Sequence, residues 1–143
     1  MRNDIIVAKL EEIEENLELI SNHLPTDLEG FLNLGLIKDG IYKRLEYSIE
    51  LVLDILAIIN ADLKLGIPDG ESSVIDNIEK NKILDKEIIE KIRKMKSFRN
   101  ILEHRYGKIN DELVFELLKE DLEDFTIICD SIVEFLRKKE KEV

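Results

Sequence analysis

The chain has 143 residues, a formal net charge of −11, 37% charged residues, two Pro, one Cys and no Trp. This length fits a single domain over residues 1–143 and leaves no room for a separate catalytic domain. The lone Cys129 excludes an intramolecular disulfide, and the negative charge opposes broad, nonspecific binding to a polyanion.

The abundance of Leu, Ile and Glu, with so little Pro, predicts an all-α protein. In the first segment Ile6, Leu10, Ile13, Leu17, Ile20 and Leu24 recur at spacings of 4 and 3, which lines them up along one face of a helix. Glu11, Glu12, Glu14, Glu15 and Glu18 form its solvated acidic face, and His23 closes it before Pro25 as a helix-terminal residue. Asp4, Glu11 and Glu12 interrupt any secretory apolar stretch. The longest apolar run, residues 51–59, is broken by Asp54 and too short to span a bilayer, so a cytoplasmic protein with no membrane association is expected.

Residues 25–40 carry three Gly and a Thr26-x-x-Glu29 capping signature, which predicts a connection holding a short helix. The second long helix is expected from about residue 41 to 63, with Leu45, Ile49, Val52, Leu56, Ile59 and Leu63 as its seam. Leu51, Leu53, Ile55 and Ile58 widen that seam, as befits a central helix. After the break at residues 65–70, Ser73-x-x-Asp76 reads as the cap of a short helix through Lys80.

A third long helix is expected from Leu84 or Asp85 to about Tyr106, with Gly107 in a left-handed terminal position. Ile88, Ile92, Met95 and Leu102 form its seam, and the same spacing puts Arg99 and Tyr106 where apolar residues would be expected; such conflicts between pattern and fold mark candidate functional sites. The last helix starts at Asn110 or Asp111, carries Val114, Leu118, Leu122, Phe125, Cys129, Ile132 and Leu136, and gives way to a solvated run from Arg137. Cys129, within an apolar run, reads as a small buried hydrophobe. The whole is an up-down bundle of four long helices plus one or two short ones.

Residues 91–108 gather seven Lys/Arg against the single acid Glu103. Basic charge this local in an acidic chain points to an anionic target. Within it Arg99, Asn100, His104 and Tyr106 supply a guanidinium, an amide, an imidazole and a phenol, a set suited to metal-independent RNA cleavage. An imidazole can accept the 2′-hydroxyl proton or protonate the leaving oxygen, and a guanidinium supports the phosphoryl oxygens. Lys91, Lys94, Lys96, Arg105 and Lys108 are the expected RNA-attracting charges. No metal-ligating His/Cys/Asp set, phosphate loop or Ser/His/Asp arrangement is visible, and no cofactor is expected. Taken alone, the same residues also fit a structural reading, with Arg99 paired to Glu103, His104 ending the helix and Tyr106 in the core. On a straight helix Arg99 and His104 stand about 140° and about 7.5 Å apart, so converging them on one phosphate requires a bent helix end near Gly107, a long Arg reach or a two-fold related copy, of which the last is the expectation.

Arg99-Asn100-x3-His104-x-Tyr106 resembles the R-x4-H-x-Y signature of the HepT-like branch of HEPN ribonuclease toxins, and the likeness covers roughly residues 5–136. The resemblance implies a HEPN helical bundle working as a homodimer, with Arg99 and His104 as the catalytic pair and Asn100 in support. It also implies a cognate minimal nucleotidyltransferase antitoxin that adenylylates Tyr106, placing bulk and negative charge where the RNA phosphate must sit. Glu103 departs from the usual apolar residue and can pair with Arg99 one turn away. A noncatalytic helical module that dimerises and binds a nucleotidyltransferase or nucleotide through the same cleft is the alternative reading.

Overall fold

A computed structural model of the chain describes residues 1–104 and 110–142. Its helices are α1 (Asn3–His23), α2 (Leu28–Leu32), α3 (Leu36–Asp62), α4 (Glu71–Lys80), α5 (Lys86–Glu103) and α6 (Asp111–Lys141). The four long helices and two short ones form the expected all-α bundle.

The seams meet as the spacing requires. Ile6, Ile13 and Ile20 of α1 are buried, with Leu10, Leu17 and Leu24 packed beside them. On α3, Leu45, Ile49, Val52, Leu56 and Ile59 are buried together with Leu51, Leu53 and Ile55, and α3 packs against α1, α4 and α5. It is therefore the central helix. Burial of apolar surface on three sides of one helix, at about 25 cal/mol per Å², dominates the stability of such a bundle. α6 covers the other side, against α5, α2 and α1, through Phe115, Leu118, Phe125, Ile128 and Ile132. Phe31 of α2 stacks on Phe115 with ring centroids 5.0 Å apart.

Several boundaries differ from the sequence expectations, each for a local reason. The cap of α2 is Asp27, not Thr26, because it is the Asp27 carboxylate that accepts the Gly30 N–H at 2.8 Å. α3 begins at Leu36, five residues early: Asp111 at the start of α6 accepts from Lys38 (2.7 Å) and from the Tyr42 hydroxyl (2.5 Å), tying down the first turns. α4 begins at Glu71, after Gly70 at φ 86°, so Ser73 lies inside the helix, and Asp76 accepts from Arg93 at 2.8 Å instead of capping. Asp85 is the N-cap of α5 without a side-chain capping bond. α5 ends at Glu103, three residues short of Tyr106, with His104 as its C-cap. Asn110 caps α6 by accepting from the Leu113 N–H at 3.2 Å, and the terminal run stays helical to Lys141, its lysines facing the negative helix end. Arg105, Tyr106, Gly107 and Lys108 lie outside the described residues.

Cys129 is half-buried and free, and burial pushes its thiol up to about 12, which makes it unreactive. The His23 ring nitrogen Nδ1 lies 2.8 Å from the Leu19 carbonyl, the helix-terminal role expected of it.

Candidate functional site

The C-terminal half of α5 meets the start of α4 and the middle of α3. Arg99 continues the seam of Ile88, Ile92, Met95 and Leu102, so its side chain enters the bundle, where it is 9% exposed. Burying a guanidinium requires compensating charge. Glu71, the first residue of α4, supplies it with a two-pronged ion pair: Arg99 Nη1 donates to Oε2 at 2.8 Å and Nη2 to Oε1 at 2.6 Å. Nη2 also reaches the Asn100 amide oxygen at 3.3 Å. Glu103 Oε1 lies 3.4 Å from Nε, the i,i+4 pair foreseen from sequence, although Nε is buried and makes no hydrogen bond.

This pairing is visible in both titrations. The hydrogen bond from Arg99 holds the Glu71 carboxyl below its ordinary range against the opposing effect of burial. Glu71, with Glu103 and Glu50 adding to it, raises Arg99. Glu46 and Glu50 of α3 approach Glu103 so that, among the described residues, these three bring carboxylate oxygens within 4.8 Å of one another. Burial and then Glu46 push Glu50 up, while Arg99 and Lys43 pull it down. Lys43 lies 3.5 Å from Glu46. The charge balance of this end is thus an arginine among four glutamates, with Lys43 beside Glu46 and Lys96 near Glu71 at the edge.

His104 is exposed at the helix end, its backbone N–H reaching the Asn100 carbonyl at 3.3 Å. Asn100 is likewise exposed. The basic segment divides by helix face. Lys91 donates to Asp124 of α6 at 2.9 Å, and Lys94 lies 3.7 Å from Glu120, so both charges are matched within the chain. Lys96 reaches the Ser72 hydroxyl at 3.2 Å, beside Glu71. Arg105, Lys108 and Tyr106 fall outside the described residues.

Glu71 is the residue that sequence reasoning missed. Its separation from Arg99 by 28 positions carries no periodic signal. The available clue was the sequence conflict itself: an arginine in an apolar seam needs an acid from another helix, and Glu71 directly follows the clearest break in the chain.

The described residues form a helical bundle of four long and two short helices, a HEPN-like fold. Residues 13–132 match the family model described as ribonuclease HepT-like, and the chain belongs to that family. It is 28% identical to the mRNA nuclease HepT of Shewanella oneidensis over 91% of this chain and 97% of that protein. A relative from Archaeoglobus fulgidus is 32% identical over 84% of each chain. Among solved structures, the tri-AMPylated Shewanella oneidensis HEPN toxin in complex with its MNT antitoxin superposes with a TM-score of 0.82 at 27% identity, covering 92% of this chain and 98% of that one. The cytosolic protein YutE of Bacillus subtilis, 16% identical, shares the fold with a TM-score of 0.80 over 97% of this chain and 93% of its own. Among the described residues, no helix is long and apolar enough to cross a membrane.

Proposed function

We propose that this chain is a metal-independent endoribonuclease, the toxin of a pair neutralised by a minimal nucleotidyltransferase antitoxin, and that it acts in the cytoplasm as a homodimer. The observation that carries the reading is the Arg99-Asn100-x3-His104-x-Tyr106 motif lying within the matched family segment. The Shewanella oneidensis relative named as an mRNA nuclease, and the AMPylated toxin bound to its MNT antitoxin, support it.

In this reading the RNA 2′-oxygen attacks phosphorus and the bond to the 5′-oxygen breaks. The His104 imidazole takes the 2′-proton, or as imidazolium returns one to the leaving 5′-oxygen. Arg99 stabilises charge building on the nonbridging oxygens, and Asn100 orients the phosphate or the imidazole. Two copies related by a two-fold axis pool these groups in one cleft. Adenylylation of Tyr106 by the antitoxin adds a phosphate beside the pair and obstructs the substrate phosphate.

The test is RNA cleavage by purified protein in EDTA. Arg99→Ala and His104→Ala are each expected to lower the rate by about 10²-fold or more. Cleavage unchanged in both variants, or dependent on added metal, would overturn the assignment and leave the noncatalytic binding module as the better reading. Mass spectrometry of the chain co-expressed with a nucleotidyltransferase partner is expected to find nucleotide on Tyr106; an unmodified Tyr106 would remove the regulatory part.

A further inference from the structure

We propose that Glu71 is a positioning residue that acts through Arg99, occupying the guanidinium as an intramolecular stand-in for the RNA phosphate and setting how tightly substrate is held. The inference rests on the ribonuclease reading above.

A guanidinium offers a planar fork that a carboxylate and a phosphate engage in the same two-pronged way. Glu71 already fills that fork at 2.6 and 2.8 Å, while Asn100 takes a further contact on Nη2. The remaining edge, Nε, faces Glu103 at 3.4 Å inside the bundle. An arriving phosphate therefore meets a guanidinium that is buried, already neutralised and bordered by carboxylates, and it gains Arg99 only by displacing Glu71.

The two members of the pair differ in how readily they move. The Arg99 side chain is 9% exposed and anchored in the seam of α5, whereas that of Glu71 is 45% exposed on the first turn of α4. The carboxylate can return to water at little cost in buried contacts, and no larger rearrangement is required of it. Exchange of one anion for the other on Arg99 also conserves the charge balance that the buried guanidinium demands.

The experiment is binding of a noncleavable, fully 2′-O-methylated single-stranded RNA, followed by fluorescence anisotropy, together with steady-state cleavage of the ordinary RNA. Glu71→Gln keeps the side-chain length and removes the competing charge. It is expected to tighten binding by about tenfold and to lower KM correspondingly, with kcat within about twofold, because the contact is relieved before the chemical step. Glu71→Ser, tolerated at a helix start, is expected to change affinity in the same direction and guards against a folding defect peculiar to the first variant. In an Arg99→Ala background both substitutions should lose their effect, as coupled residues do. If Arg99→Ala abolishes cleavage but neither Glu71 variant tightens binding, this inference falls and the ribonuclease reading stands. If Arg99→Ala cleaves as well as the unaltered chain, both fall.

Discussion

Asp121 carries an uncompensated charge away from the candidate site. Burial, then Asp124, then Glu120, push its carboxyl from an ordinary 3.8 up to about 6, with Lys94 acting weakly against them, and its Oδ2 is buried without a hydrogen-bond partner. Lys91 of α5 is committed to the neighbouring Asp124 at 2.9 Å, and Lys94 lies 3.7 Å from Glu120. Because the folded chain holds this proton to higher pH than the unfolded one, stability falls as pH rises from about 4 to 6 and the penalty is complete above that window. Asp121→Asn removes it. After allowance for solvent at this half-buried position, the variant is expected to gain about 1 kcal/mol, or roughly 3 °C in Tm, at pH 7.5 and to converge with the unaltered chain near pH 4. Thermal melts at the two pH values check this; an equal gap at both would contradict it.

The placement of Glu71 depends on how α4 is attached to α3. Asn60, buried near the end of α3, donates from Nδ2 to the Gly66 carbonyl at 2.9 Å and accepts from Asn77 of α4 at 3.0 Å. One side chain thus fixes both the loop and the helix after it, and Gly66 at φ 137° holds a conformation that L side chains rarely adopt, with a Cβ there set tightly at 3.2 Å from the Asn77 amide nitrogen. Asn60→Ala removes both hydrogen bonds, each worth about 1 kcal/mol net, and is expected to cost about 2 kcal/mol, read as a lower denaturation midpoint at unchanged slope. An unchanged midpoint would show that this junction does not hold α4. The same elements show what the sequence could convey. The seams of α1, α3, α5 and α6 were legible because spacings of 3 and 4 translate directly into one buried face. The junction was not, because Asn60, Asn77 and Gly66 act across chain separations that carry no period. Helix starts failed where tertiary bonds, such as Lys38 and Tyr42 on Asp111, extended a helix beyond its local signals. At the candidate site, the position of Arg99 in the apolar seam was legible and Glu103 followed from i,i+4 spacing, but Glu71 and the approach of Glu46 and Glu50 needed the packing of α3 and α4 against α5.

At the scale of the whole molecule, the proposed chemistry has a geometric difficulty that a second copy resolves. The Arg99 guanidinium is turned into the bundle toward α4, while His104 caps α5 at the surface, and helix geometry separates the two by about 140° around the axis. A chain carrying a net charge of −11 also has little nonspecific attraction for RNA, so affinity must come from a confined cleft that concentrates its few uncommitted basic groups. If that cleft lies on a two-fold axis and joins Arg99 of one protomer with His104 of its partner, complementation between inactive subunits follows. Arg99→Ala and His104→Ala proteins, each inactive as a pure homodimer, are unfolded together and refolded at equal concentration. Half of the resulting dimers are mixed, and each mixed dimer retains one of its two composite sites, so about a quarter of the unaltered activity should return. Sedimentation equilibrium at the same concentrations should give twice the chain mass of 16.7 kDa. Dimers that form and exchange yet recover no cleavage would place Arg99 and His104 of one protomer in the same site.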